Sequence, residues 1–314
     1  MRGPVRPQRI TTLKLMPLLQ QRAMAVLACP RDQARLEAAD GPSRHGQLRC
    51  TQCRRLYPLV DGIASFLELQ SGTREAQLMA SEIRARDWRY AQELSRQAQI
   101  ERLPELDAIC KLLGRCKGQR VLDAGCGRGA MLPAAHGADL YCGIDFSRQG
   151  LLAFPPRPAD IGEVALFHGD VCALPFGNGA FDSAFSAQVL EHVPSVQGRS
   201  RFIAELARVV KPGARLVLTA YNWHEGRRIK NIPKEGMHPS GVFYHCYDAD
   251  ELRQLLSQFF EVDCIWGGGV ALPGTRRLTS ALGSWNRYWD RLWWNTRQGL
   301  RFGEILMARC HAKS

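Results

Sequence analysis

The chain has 314 residues, with 42 Lys+Arg against 30 Asp+Glu and a formal net charge of +12 with histidine neutral. Hydrophobic residues make up 45% and charged residues 23%. These are ordinary globular values that exclude wholesale disorder, and at ~150 residues per domain the length predicts about two domains. No uninterrupted apolar stretch approaches the ~18 residues that a membrane span needs. The best N-terminal candidate, residues 10–29, is cut by Lys14, Gln20, Gln21 and Arg22, so neither a span nor a secretory signal is expected.

The eleven cysteines are an odd number, and most sit singly in apolar runs, as Cys142, Cys172 and Cys264 do. That pattern fits reduced thiols in a cytoplasmic protein better than a disulfide framework. Residues 1–26 read as a basic tail, acid-free up to Asp32; the composition also suits a transit peptide, but a clear amphipathic repeat is missing. The net charge is +7 over residues 1–115, +1 over 116–220 and +4 over 221–314. Basic flanks attract RNA, an anionic membrane surface or an acidic substrate; a solvated Arg-rich surface is the plainer alternative.

Residues 27–70 read as a small module. Cys29-Pro-Arg-Asp32 is followed, after a Gly/Pro/Ser-containing loop, by Cys50-Thr-Gln-Cys53. Two close pairs across a loop have the spacing of a zinc ribbon, each pair supplied by one tight knuckle. Leu56-Tyr57-Pro58-Leu59-Val60-Asp61-Gly62-Ile63 comes next. Over about 40 residues this resembles the zinc-ribbon family that includes the activator subunit of tRNA, rRNA and protein methyltransferases. The chain departs from that pattern at Asp32, where a cysteine is expected. Three thiolates and a carboxylate form an acceptable zinc set, and His45 is a substitute ligand. A ribbon that has lost its metal stays open and is slightly favoured, because closed structural sites prefer sulfur and nitrogen.

Residues 71–115 are expected to be mainly helical and to act as a linker. Glu, Arg, Gln, Ala and Leu dominate, no Gly or Pro occurs between Thr73 and Leu103, and Pro104 and Gly114 punctuate the end.

From residue 116 to 314, strands alternate with helices. Val121-Leu122-Asp123-Ala124 is a short apolar strand running into Gly125-Cys126-Gly127-Arg128-Gly129, and a helix is expected after the glycines. Glycines there let backbone approach a ligand closely. The GxGxG spacing differs from the GxGxxG of dinucleotide folds, which disfavours a nicotinamide oxidoreductase. A second strand ends at Asp145 and a third at Asp170, so three acids stand at three consecutive strand tips, where open α/β sheets bind ligands. A fourth strand runs through Phe181–Ala187, a helix is expected over 199–210, and a turn at Lys211-Pro212-Gly213 enters a fifth strand. Asp182 reads as a structural turn residue.

The strings VLDAGCGRG, GIDFS, GDVCALPF, FDSAFSAQVLEHV and RVVKPGARLVL occur in order over about 100 residues. They resemble the class I S-adenosylmethionine-dependent methyltransferases, the type 11 group in particular. The resemblance implies an α/β, Rossmann-like seven-stranded sheet with helices on both faces and an antiparallel last strand, and Phe259–Val262 and Gly303–Arg309 suit its last two strands. It implies S-adenosylmethionine as cofactor. Gly125, Cys126 and Gly127 would carry backbone to the methionine part, and Asp123 would help hold its amino group. Asp145 would grip the ribose beside Phe146. Asp170 would accept from the adenine amino group, with Val171 on the ring. Ser186, Ala187 and Gln188 would face the methionine and the incoming acceptor.

A general base is needed only where the acceptor loses a proton. His192 is the first candidate, with a loop-ordering histidine as the plainer reading; Tyr244 and His245 are the second. The fourth strand tip reads Ser-Ala-Gln-Val, without the Asn/Asp-Pro-Pro-aromatic run of many amino-group methyltransferases. The segment 221–247, with Trp223, His224, Arg227, Arg228, Lys230, Lys234 and His238, reads as an inserted loop suited to an acidic or aromatic acceptor. Residues 276–300 read as a Trp-rich amphipathic helix that either caps the domain or contacts a membrane surface or lipid.

The function expected is C- or O-methylation of a small-molecule or lipid-like acceptor. The alternatives are RNA methylation at a ring nitrogen, carbon or oxygen, and a cofactor-binding protein without turnover.

Overall fold

The structure is a computed structural model that describes residues 21–39, 46–68, 72–96, 105–270 and 291–314. His45 and residues 276–290 of the Trp-rich segment lie outside the described residues. Thirteen strands are described. In chain order they are β1 (Leu36–Ala38), β2 (Gly46–Cys50), β3 (Leu56–Val60), β4 (Ile63–Ser65), β5 (Arg120–Ala124), β6 (Leu140–Asp145) and β7 (Glu163–His168). They continue with β8 (Phe181–Ala187), β9 (Val210–Tyr221), β10 (Glu235–Met237), β11 (Phe243–His245), β12 (Phe260–Gly268) and β13 (Ile305–Ala312).

The apolar runs β5 to β9 form the centre of one sheet. Every residue of β6 is buried, as expected for a parallel strand covered on both faces. The order is β1-β2-β3-β4-β7-β6-β5-β8-β9-β13-β12. Its last seven strands, β7 to β12 in that order, form the expected Rossmann-like seven-stranded sheet. β13 pairs antiparallel with both β9 and β12, and that antiparallel strand is the last in the chain.

The helices are α1 (Gln21–Val26), α2 (Arg74–Ser95), α3 (Leu106–Leu113), α4 (Arg148–Leu152), α5 (Val196–Val209), α6 (Glu225–Ile229), α7 (Ala249–Leu256) and α8 (Arg297–Phe302). The helix expected after the glycines is only a 3-10 turn, Leu132–Ala135. Pro133 lacks a backbone donor and Gly137 turns at φ +81°, so the segment cannot continue as an α-helix. The Trp-rich segment also breaks before residue 300. Thr296 caps a new helix, α8, by accepting from the Gly299 amide at 3.0 Å. Trp294 is buried and stacks on Trp266 at 6.0 Å between centroids, so this end of the segment packs on the sheet.

The front module does not stand apart. β4 pairs in parallel with β7, Ala64 opposite Phe167 and Ser65 opposite His168, and Ser65 Oγ lies 2.8 Å from His168 Nδ1. One buried apolar cluster contains Leu48, Tyr57 and Phe66 of the module together with Ile144, Phe167 and Phe176 of the larger domain. Each such side chain contributes about 1.5–3 kcal/mol on burial, and whole-protein stability is about 5–15 kcal/mol. A chain beginning at residue 72 is therefore expected to lose most of its soluble yield. Equal yield and an unchanged Tm would show that the added strands contribute nothing to folding.

Candidate cofactor and acceptor site

The carboxyl ends of β5, β6 and β8 open onto a cavity of about 410 Å³. Gly125 and Gly127 adopt φ of +86° and +51°. A Cβ on Gly125 would sit 2.2 Å from Val189 Cγ2, and one on Gly127 would sit 2.7 Å from the Tyr90 hydroxyl. Only glycine fits there, and the backbone lines the cavity directly. Asp145 is buried at its edge. Its Oδ2 accepts from the Gly127 amide at 2.8 Å and its Oδ1 from the Ser147 amide at 2.7 Å. Burial raises its pKa, with those two amides opposing. Asp123 accepts from the Tyr141 hydroxyl at 2.6 Å. Burial pushes it up to about 7, the Tyr141 bond working against the shift and the Asp145 charge adding to it.

Cys126, Phe146, Val171, Ala187 and Gln188 line the same cavity. Gln188 sits at φ +54°, unusual for a non-glycine residue, and is held there by its amide bond to Thr219 Oγ1 at 3.0 Å. Two expected residues are not among those lining it. Ser186 is fully buried and donates to the Ala124 carbonyl at 2.7 Å, clamping β8 to β5 beneath the floor. Asp170 accepts from the Cys172 amide at 2.8 Å in a tight turn and leaves the wall to Val171. Asp182 is structural but not in a turn: it lies within β8, accepts from the Arg120 amide of β5 at 2.7 Å and pairs with Lys211. Burial works against its charge, but those partners outweigh it and lower its pKa.

A second cavity, about 640 Å³, adjoins the first, and His192, Tyr221, Arg86 and Arg89 line both. His192 is buried. Its Nδ1 donates to the Phe243 carbonyl at 2.8 Å. That bond fixes the tautomer and leaves Nε2 as an acceptor, without a hydrogen-bond partner among the described residues. Burial, then the Arg86 charge, drive its pKa down to about 3. Tyr221, at the end of β9, packs edge-on against the imidazole at 5.5 Å.

Tyr244 and His245 line neither cavity. His245 is gripped between two carboxylates, Glu235 Oε2 at 3.0 Å and Glu251 Oε1 at 2.7 Å. Tyr244 packs on His238 at 4.7 Å between centroids. The β10–β11 hairpin turns this pair away and presents His238, Ser240 and Val242 instead. Much of the basic charge of 221–247 is also used internally: Arg228 and Lys234 lie over the Trp223 ring at 4.4 and 5.2 Å.

Helix α2, expected as a linker, forms a wall of both cavities. Glu82, Arg86 and Tyr90 recur every fourth residue and so share one face. Glu82 pairs with Arg86 at 3.4 Å, and burial pushes Glu82 up to about 7 against that pairing. Asp87 ties the helix to α4 by accepting from the Ser147 hydroxyl at 2.5 Å and the Gln149 amide at 3.1 Å. Glu191 is fully buried, neither carboxylate oxygen has a hydrogen-bond partner among the described residues, and burial pushes its pKa up to about 8.

In the front module, one ligand atom from each of Cys29, Asp32, Cys50 and Cys53 falls within 4.8 Å of the others. Cys29 Sγ lies 3.8 Å from Cys53 Sγ, and Cys50 Sγ lies 3.4 Å from Asp32 Oδ1. This donor set and spacing fit a tetrahedral zinc ion. The Ala34 amide holds Asp32 down to about 2, so its carboxylate is charged. The four side chains stand close enough together to hold a metal ion, with Asp32 in the place of the missing cysteine.

Residues 122–218 match the family model described as "Methyltransferase domain". The chain carries a methyltransferase domain over these residues. Residues 21–62 match the "Trm112p-like protein" model, so a Trm112p-like module precedes the methyltransferase domain. The chain is similar to a demethylmenaquinone methyltransferase of Tropheryma whipplei, 36% identical over 118 residues, covering 37% of this chain and 47% of the relative. It is similar to the O-methyltransferase cnsE of Penicillium expansum, 32% identical over 112 residues, covering 34% and 39%. The chain thus spans about half the length of the curated relatives it matches, or less. A methyltransferase structure from Thermotoga maritima shares the fold, with a TM-score of 0.50 and 19% identity, covering 74% of this chain and 99% of that one. Among the described residues, no helix is long and apolar enough to cross a membrane.

Proposed function

We propose that the protein methylates a small organic acceptor at oxygen, with His192 as general base. The observation that carries this reading is the meeting of the two cavities at His192 and Tyr221. Gly125, Gly127, Asp123, Asp145 and Val171 would hold the cofactor: no side chain fits at either glycine, and two acids stand at adjacent strand tips. Asp170 is assigned to positioning Val171 through its turn. S-adenosylmethionine, when bound, supplies an activated methyl group on a sulfonium sulfur. The protein's part is then alignment and proton handling.

His192 Nε2 accepts the acceptor's hydroxyl proton as the oxygen–methyl bond forms and the sulfur–methyl bond breaks. Phe243 keeps the imidazole in the tautomer that can do so. Tyr221 and His238 supply flat surfaces for an acceptor ring. The O-methyltransferase among the similar proteins supports oxygen as the acceptor atom.

The test uses methyl-labelled S-adenosylmethionine with host RNA, protein and organic-extractable fractions. Label is expected in the organic fraction with the native chain and not with Asp145→Ala. Label confined to RNA or protein overturns the small-molecule reading. Cofactor binding without label in any fraction overturns methyl transfer itself.

A further inference from the structure

We infer that the larger cavity takes a small aromatic acceptor carrying an oxyanion, a carboxylate or a phosphate. This rests on the methyl-transfer reading and names the class of molecule that enters the same site.

Three arginines, Arg84, Arg86 and Arg89, line this cavity, and no carboxylate is among its described lining residues. Two nearby acids, Glu82 and Glu93, reach these arginines but do not match them in number. Glu82 pairs with Arg86 and lines the cofactor cavity. Glu93 lies 3.1 Å from Arg128 and 3.5 Å from Arg89. Asp87 is taken up by Ser147 and Gln149. Arg84 makes no ion pair among the described residues and stands exposed at the rim. The cavity therefore holds more positive charge than its neighbours neutralise, and a low-dielectric cleft focuses such a field on a negative ligand.

The rest of the wall is aromatic. Trp88, on the same helix face as Arg84, leaves 69% of its surface exposed, and Tyr221 and His238 stand opposite. A large uncovered ring beside the unpaired guanidinium of Arg84 suits a flat body with an anionic end. The volume of about 640 Å³ lies in the usual range for small-molecule sites, which favours a small anion over a nucleic-acid strand.

His192 benefits from such a ligand. Part of what holds its pKa down is the Arg86 charge. An oxyanion beside Arg86 offsets that field and makes Nε2 a better proton acceptor when the acceptor is bound.

The experiment measures binding of three matched probes, 4-hydroxybenzoate, phenyl phosphate and 4-hydroxybenzamide, to the full chain saturated with S-adenosylhomocysteine. Tryptophan fluorescence gives the signal. At least one anionic probe is expected to bind about tenfold or more tightly than the neutral amide, and the stronger of the two names the oxyanion. Arg84→Gln, which touches only the acceptor cavity, is expected to weaken the anion several-fold while leaving the amide and S-adenosylhomocysteine unchanged. Equal binding of anion and amide, no binding of either anion, or a preference untouched by Arg84→Gln overturns the inference. In parallel, the organic extract is divided on an anion exchanger before the labelling reaction. Label in the acidic pool supports the inference. Label only in the neutral pool overturns it and leaves methyl transfer standing, and no label in either pool removes the methyl-transfer reading as well.

Discussion

Replacing His192 with glutamine lowers kcat by roughly 10²–10⁴-fold while leaving the affinity for S-adenosylhomocysteine within about twofold, as expected for loss of a general base. The imidazole is fixed by its bond to Phe243, open at Nε2 and shared by both cavities. The pH profile provides a second readout. An ordinary histidine, with a pKa near 6.5, is mostly protonated at pH 5. Here burial and Arg86 keep the ring neutral down to about pH 3. For the native chain, kcat/KM is therefore expected to show no acidic limb near pH 6.5. The stability sign follows from the same shift. Between about pH 6.5 and 3 the unfolded chain binds a proton that the folded chain does not, so His192 costs stability progressively as pH falls through that window. A kcat within threefold of native, or an acidic limb centred near 6.5, would leave His192 as an ordering residue.

Asp145→Ala is expected to weaken S-adenosylhomocysteine binding by more than 100-fold and to lower Tm. The side chain does two things at once. It offers the carboxylate that would receive ribose hydroxyls, and it satisfies the amides of Gly127 and Ser147. Alanine leaves both amides without an acceptor in a buried place, at about 1–3 kcal/mol each. The Gly127 loop, already at positive φ, loses the anchor that holds it against β6. Isothermal titration and thermal melts separate the two effects. Asp145→Asn keeps an acceptor oxygen for one amide and is expected to recover much of the Tm without recovering affinity. Affinity within fivefold of native in Asp145→Ala would remove Asp145 from the cofactor site.

The sequence places Asp123 and Asp145 beside the cavity because a parallel sheet puts strand ends on one side, but it does not show that Asp170 turns into its own loop and leaves the wall to Val171. Gly125 was legible because close approach demands a residue without a Cβ. What the spacing could not tell was depth: Ser186 is one residue from the wall and points under it, because successive strand residues face opposite sides. Tyr244 and His245 misled because chain proximity to a basic loop says nothing about which way a hairpin turns. The gravest omission was α2. Its few apolar residues suited a solvated linker, yet Glu82, Arg86 and Tyr90 at four-residue intervals mark a polar face turned inward. Tyr221 is missed because 221–247 reads as an inserted loop, whereas β9 runs on to Tyr221 and carries it to the cavities.

The β4–β7 pairing fixes a stoichiometry. Because both strands belong to one chain, their meeting is unimolecular, and its equilibrium does not shift with dilution as a two-chain contact would. The Trm112p-like module is present at one copy per catalytic domain at any expression level. The same pairing covers the β7 edge at Phe167 and His168 and moves the end of the strand order out to β1, only three residues long.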